Sequence, residues 1–358
     1  MIHYKNVDIM RGIAIITIIV YHCYAITAVP LTHFMYIDKI IGYGGEIGVT
    51  LFFILSGFGI SCSIINQEDR GNPYTWKTFM QKRFKRILPQ YYANIFIMLI
   101  LTDCASMLLT KNGLVHILSH LLFVHNLFIP THGSINGAMW TMATIVQFYM
   151  IALCLQKLIR KHKWIMLCCS ILFTIIAKCI IFAIISKYTD SSGTWFFVYG
   201  RQLVASIDNF VVGMVLANVL TKKRECTKRA INWLFVGLCI IGVVLMIISI
   251  ERVGLYTNTF YSRCWHTLLA VLLGVLLYFV VQCPVPRVFN FFERMLLWVS
   301  KYEYGIYIWH IVIIYNLLAK STLFQILKDT SFLIFTIGIL SISCVMGCFS
   351  TKFIDKVA

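Results

Sequence analysis

Residues 10–23 read MRGIAIITIIVYHC, and this stretch decides the fold class. It opens an apolar run of about 20 residues, the length a helix needs to cross roughly 30 Å of hydrocarbon. Yet it carries Arg11 at its start and His22 eleven residues later. The composition of the whole chain follows the same pattern. The 358 residues are 59% hydrophobic and only 13% charged, with a mean hydropathy of +0.82. Soluble globular domains do not have this composition, and it predicts an all-α, polytopic membrane helix bundle.

Apolar runs of spanning length predict ten helices, near 10–29, 45–65, 87–109, 136–155, 163–186, 201–220, 231–250, 264–282, 302–319 and 331–351. Segment 114–130 (LVHILSHLLFVHNLFIP) is apolar but short and holds three histidines, which suits a re-entrant or interfacial helix on the outer side. Six prolines and no long Gly/Ser tract leave residues 1–358 as one domain without linkers. Lys5 and Arg11 before the first run imitate a signal peptide. The run is longer than a usual signal core, however, and YAITAVP (24–30) lacks a small-x-small cleavage site, so it is expected to stay as the first span.

Charge sets the expected orientation. Of the Lys and Arg residues, 22 fall at the N-terminus, in 66–86, 156–163, 221–230 and 283–301, and at the C-terminus. The alternate segments hold eight (Lys39, Lys111, Lys187, Arg201, Arg252, Arg263, Lys320 and Lys328), and Lys178 lies inside a span. An excess on one side places both termini in the cytoplasm. The net charge of +17 then belongs to topology and anionic lipid headgroups, through loops such as TKKRECTKR (221–229), and nucleic acid is not an expected partner. The basic stretch KRFKRILPQYY (82–92) reads differently. Arg83 and Arg86 are three apart, share a helical face at the start of a span, and suit a phosphorylated ligand. Pro89 is placed at the first turn of that span.

The thirteen cysteines, among them Cys23, Cys62, Cys104, Cys154 and Cys239, lie mostly in or beside apolar runs. There they act as small hydrophobes rather than a disulfide framework.

Helical arithmetic places the polar residues. Eleven residues at 100° each come to 20° past three full turns, so Arg11 and His22 lie on one stripe about 16 Å apart. Read as a helix, 136–150 puts Asn136, Trp140 and Gln147 within about 40° of one another. In KYEYGIYIWHIVI (301–313), His310 stands inside the ninth span with Tyr307 and Glu303 on its face, Glu303 too far along to act on it directly. Asp208 is a further ionisable group at membrane depth, expected to pair with a neighbouring helix. Such residues normally face the bundle interior and mark function. A histidine that only bridges helices is the plain alternative.

Five stretches together resemble the membrane-bound acyltransferase-three family: NVDIMRGIAIITIIVYH (6–22), GVTLFFILSGFGI (48–60), KRFKRILPQYY (82–92), NGAMWTMATIVQFY (136–149) and YEYGIYIWH (302–310). The resemblance implies acyl transfer, usually of acetyl from acetyl-CoA in the cytoplasm to a hydroxyl of a surface polysaccharide or lipid-linked glycan. It implies a multi-pass enzyme of a bacterial cell membrane. His22 carries over as the catalytic histidine, with Arg11, Arg83 and Arg86 as basic residues of the motifs, and the tenth span would end a stand-alone form without an esterase-like domain. The family often has acidic residues where this chain has Thr50 and Ile145.

The chemistry fits these groups. An acyl thioester must meet a hydroxyl that is a poor nucleophile, so a neutral imidazole is wanted as base. His22 is the first candidate and His310 the second, as acid or orienter. Trp140, Tyr307, Asn136 and Gln147 are candidates for the oxyanion or substrate, and Arg11, Arg83 and Arg86 for the donor's phosphates. Acyl-CoA is a substrate here, and no bound cofactor is expected. His116, His120, His125 and His132 invite a metal reading, but no Cys, Asp or Glu completes a ligand set and none is expected. The rival function is a transporter or flippase with His22, His310 and Asp208 as a proton relay; the chain shows no repeat to support it.

Overall fold

The computed structural model describes residues 4–27, 35–101, 108–188, 192–221, 229–257, 259–283, 289–317 and 331–357, with short pieces at 321–322 and 325–326. Among these residues the architecture is helical throughout, without strands. In chain order the helices are α1 (Lys5–Ile26), α2 (Met35–Gly42), α3 (Gly44–Glu68), α4 (Trp76–Leu101), α5 (Lys111–Leu121), α6 (Trp140–Tyr188), α7 (Ser192–Tyr199), α8 (Ile207–Leu220), α9 (Arg229–Val253), α10 (Phe260–Gln282), α11 (Asn290–Lys301), α12 (Glu303–Val312) and α13 (Phe332–Val357). Six of them, α1, α3, α6, α9, α10 and α13, are long and apolar enough to cross a membrane. Cys104, Lys320, Lys328, most of the 221–229 loop and the ends of several expected spans lie outside the described residues.

Three expectations change in the structure. The fourth and fifth spans are two helices that abut within α6 at His162, whose φ of −138° and ψ of 52° are not helical, so the loop expected at 156–163 shrinks to a kink. Pro89 is not at a helix start, because α4 begins at Trp76 and takes the basic stretch into the same helix. A proline this far inside removes one backbone bond and disturbs the preceding turn. The ninth span is a short α12 followed by a π-helical turn, Ile313–Leu317. Turns of that kind cluster at functional sites.

The chain divides into two compact units. The first comprises Met1–Arg11, Val49–Lys77 and Gln147–Leu297, and the second Gly12–Gly48, Thr78–Val146 and Trp298–Ala358. In lipid, helix association rests on close packing and buried hydrogen bonds rather than on the hydrophobic effect. In the first unit α3 and α8 meet where Gly57 and Gly213 leave room for backbone: a Cβ on Gly57 would stand 3.0 Å from the Phe210 Cα. The Phe210 ring stacks on Phe53 at 4.8 Å and on Phe148 at 4.0 Å. A closed ring of polar groups ties α3, α6 and α8 together. Ser61 Oγ donates to Gln156 Oε1 at 2.7 Å, Gln156 Nε2 to Asn218 Oδ1 at 3.2 Å, and Asn218 Nδ2 to Ser61 Oγ at 3.0 Å. In the second unit α12 crosses α13 at a pair of glycines, where a Cβ on Gly305 would stand 2.6 Å from the Gly347 carbonyl oxygen. The eleven described cysteines are all free.

Candidate active site

The second unit brings His22 of α1 and His310 of α12 together, with ring centroids 5.1 Å apart and planes tilted by 47°. His310 is wholly buried. Its Nδ1 bonds the Tyr307 carbonyl one turn back. A carbonyl oxygen only accepts, so Nδ1 carries the proton and Nε2 carries the lone pair. That Nε2 is buried and has no hydrogen-bond partner among the described residues. An imidazole with one nitrogen tied to backbone and the other open is fixed in the tautomer of a base or acceptor. Tyr21 meets the His22 ring edge-on at 5.1 Å.

A clamp of amides holds the α12 turn that carries His310. Asn94 of α4 and Asn136 both donate to the Ile308 carbonyl, at 2.9 and 3.1 Å, and Asn136 Nδ2 also donates to Asn94 Oδ1 at 2.9 Å. The backbone N–H of Ala138 donates to Asn136 Oδ1 at 3.0 Å. Asn136 therefore sits in the turn before α6, not on a helical strip with Trp140 and Gln147. Its amide spends its donors on the scaffold. Tyr307 is engaged too: its hydroxyl donates to the Ala138 carbonyl at 2.8 Å and lies 2.6 Å from Thr141 Oγ1. Trp140 is buried and stacks on His132 at 5.6 Å. Gln147 falls at the edge of the first unit.

Below this clamp, α4 presents one polar stripe. Gln90 and Asn94 lie seven and eleven residues after Arg83, each within about 20° of it around the helix. Ser350 Oγ donates to Gln90 Oε1 at 3.0 Å. Arg83 is buried, its guanidinium 5.1 Å above the Phe79 ring. Arg86 pairs with Glu303 at 3.2 Å, which gives Glu303 a role the sequence spacing left open: it holds an arginine rather than a histidine. Asn94 and Gln90 escaped the sequence reading. The signal was available, since a face that starts with Arg83 and continues with two amides into a span is as unusual as the Arg11–His22 stripe.

Arg11 lies in the first unit, 3.0 Å from Asp8. Its guanidinium rests in the notch that Gly59 leaves on α3, where a Cβ would come 2.5 Å from Nη2. Asp208 is in the same unit, fully buried, and faces Lys178, Thr267 and Thr174. This makes Lys178, which is as buried as Asp208, the cation that answers its charge. The carboxylate is thus occupied with a neighbouring helix, as its place in a span suggests.

The segment between α5 and α6 is a second histidine cluster. The His120 and His125 rings stack in parallel, 3.9 Å apart, and His120 Nδ1 donates to the His116 carbonyl at 2.8 Å. Burial pushes His120 and His132 down to about 4 and His125 to about 2, because a charged ring there loses its water. Among the described residues no group of three His, Cys, Asp or Glu side chains is placed to hold a metal.

A helical membrane protein with two imidazoles in contact, one of them wholly buried and in a fixed tautomer, is built like a group-transfer enzyme. The family follows from the whole length of the chain: residues 4–350 match the acyltransferase domain model of the acyltransferase-three family, and the chain belongs to that family. Among curated relatives, it is 25% identical to the peptidoglycan O-acetyltransferase OatA of Listeria monocytogenes, over 86% of this chain and 49% of that protein. It is 24% identical to the putative peptidoglycan O-acetyltransferase YrhL of Bacillus subtilis, over 98% of this chain and 54% of that one. A putative O-acetyltransferase of Staphylococcus aureus strain COL is 22% identical over 86% of this chain and 50% of its own length. The chain spans about half the length of these relatives. No solved structure matches it.

Proposed function

We propose that this chain is a bacterial membrane O-acetyltransferase that moves acetyl from acetyl-CoA to a hydroxyl of peptidoglycan or a related surface glycan. The observation that carries the proposal is the His22–His310 pair, with the His310 tautomer set by the Tyr307 carbonyl. The family match and the relatives' names support the reaction class and the acceptor.

In the proposed step, neutral His22 takes the proton of the acceptor hydroxyl as its oxygen attacks the thioester carbonyl carbon. Collapse of the tetrahedral intermediate breaks the C–S bond, and the departing thiolate takes the proton from the imidazolium. His310 stands where it could take the part a carboxylate plays elsewhere: on a small shift of the two rings its open Nε2 would accept the N–H of His22 and leave the other His22 nitrogen facing substrate. This accounts for a working histidine in a chain that has Thr50 and Ile145 where acidic residues are common in the family. A neutral partner also suits a dry site, since a buried carboxylate would need its own counter-charge. Arg83 and Arg86, the latter aimed by Glu303, bind the donor's phosphates; Arg11, in its own unit, is a separate candidate for donor binding. Asn94, Asn136 and Tyr307 act as positioning residues for the α12 turn.

The test is acetyl transfer in membranes supplied with labelled acetyl-CoA and peptidoglycan. His22→Ala should abolish transfer. His310→Ala should lower it by about 10²- to 10⁴-fold, and His310→Gln, which keeps an acceptor, should recover part of that loss. Equal transfer in His22→Ala and wild type would remove His22 from catalysis, and no transfer in any sample would favour a transporter.

A further inference from the structure

The first unit carries an almost wholly apolar groove of about 400 Å³, walled by α6 after its break, α8 and α10. We infer that it is a binding site for one acyl chain of an anionic phospholipid, whose headgroup rests on Lys163 and Lys161. Val212, Val215 and Gly274 form the floor and Trp164, Val275 and Tyr278 the rim. Gly274 keeps the floor low, since a Cβ there would stand 2.5 Å from Val212 Cγ1.

Three facts choose this occupant. The groove runs along α8 from Val212 to Val219 and along α10 from Val271 to Tyr278, seven residue steps on each. At 1.5 Å per residue that is about 10 Å, a third of a membrane's roughly 30 Å hydrocarbon core. One end coincides with a boundary of the helices themselves: Trp164 lies two residues after the His162 break, Val219 is the penultimate residue of α8, and Tyr278 lies in the last turn or so of α10. A chain inserted from that end would carry its headgroup at the helix termini.

Charge at that end selects the headgroup. Arg160 is committed to an ion pair with Glu68, whereas Lys161 is exposed and Lys163 lies with its Nζ 5.8 Å from the centre of the Trp164 ring on the groove's rim. A lysine beside an interfacial tryptophan at the mouth of an apolar slot, with a second lysine, itself exposed, two residues before it in the chain, suits a phosphate-bearing anionic lipid. The exposed apolar residues Leu172, Phe173 and Ile176 on the same segment of α6 show a surface that is itself suited to hydrocarbon.

The experiment uses the full chain, purified in detergent and mixed with phosphatidylglycerol or phosphatidylcholine of identical chains, with retained lipid counted by native mass spectrometry. Wild type should hold one phosphatidylglycerol at least about tenfold more tightly than phosphatidylcholine. Val275→Trp, at a half-exposed rim position, should fill the slot and lower retention of both lipids about tenfold. Lys161→Gln with Lys163→Gln should erase the preference and leave phosphatidylcholine binding unchanged. Val271→Phe repeats the filling test at a second rim position, and thermal melting of each variant confirms folding. Equal retention of the two lipids by wild type, or unchanged retention by both filled variants, overturns the inference. A dimer that the filled variants dissociate without changing the lipid count overturns it in favour of a second copy of the chain. None of these readouts depends on acetyl transfer.

Discussion

Gly59→Ala separates the seating of Arg11 from the packing of the membrane helices. The added Cβ would stand 2.5 Å from Arg11 Nη2, against the roughly 3.5 Å of an ordinary contact. The guanidinium must therefore withdraw by about 1 Å. It lies at the far end of a flexible side chain, so relief costs about 0.5–1.5 kcal/mol of rotamer strain and melting changes little. Its function is hit harder. On the proposed role of Arg11 in donor binding, a charge-assisted hydrogen bond to a donor phosphate is worth about 1.5–3 kcal/mol, and its loss should raise the KM for acetyl-CoA about 10- to 100-fold. Gly57→Ala is the control. There the new atom meets the backbone of Phe210, its carbonyl carbon at 2.9 Å and its Cα at 3.0 Å. Backbone cannot withdraw, and overpacking of this kind costs about 1–3 kcal/mol or more. Both variants are purified in detergent, melted, and assayed for transfer over a range of acetyl-CoA concentrations. The expected result is a normal melt with a raised donor KM for Gly59→Ala, and a lowered melt for Gly57→Ala. An unchanged KM in Gly59→Ala would refute the placement of Arg11 in donor binding; a melt as low as that of Gly57→Ala would refute the idea that the arginine simply moves aside.

Asn94→Ala leaves the Ile308 carbonyl with Asn136 as its side-chain partner and strands Asn136 Nδ2 in part; kcat should fall more than tenfold with donor KM unchanged, and a change in KM alone would contradict its role beneath His310. Glu303→Gln releases Arg86 and should raise the donor KM severalfold, with recovery in Glu303→Asp; an unaffected KM would show that the ion pair serves packing only. The buried histidines between α5 and α6 make the fold acid-sensitive. His120 and His132 have folded values of about 4, below the ordinary 6.5. The unfolded chain thus binds protons first, so stability is complete above pH 6.5 and falls toward pH 4, by up to about 1.4 kcal/mol per pH unit for each ring. Melting from pH 7.5 to 4.5 should show this slope in wild type and a flatter one in His120→Asn with His132→Asn; an equal slope in both would remove these rings as its source. Lys178→Met alone should lower the melting temperature, because it leaves Asp208 buried without the cation that faces it, and adding Asp208→Asn should recover most of the loss. If the double variant melts below the single, the two charges do not answer one another.

What the sequence could and could not tell follows from the range of each interaction. Spanning helices are legible because membrane depth imposes one length on every apolar run, and α1, α3, α9, α10 and α13 fall where those runs are. Charge marked the boundary between the fourth and fifth spans but overstated its length: Arg160, Lys161 and Lys163 look like a loop, whereas the chain stays helical up to a single break at His162. Basic residues likewise concealed the start of α4 at Trp76. His22 and His310 were each legible as titratable groups at membrane depth, but their meeting was not, because 288 positions separate them and no local period encodes which helix faces which. The tautomer of His310 lies between these cases. A histidine three residues after Tyr307 on a helix has that carbonyl within reach, beside the carbonyl's own helical partner, but only the packing around the ring selects the rotamer that makes the bond, and α12 passes into a π-helical turn directly after it. Gly305 and the Asn94–Asn136 clamp hold this segment from its two sides. Nothing catalytic need be written in those residues. The site is assembled by groups whose own chemistry is structural, and they are the ones a search for reactive side chains passes over.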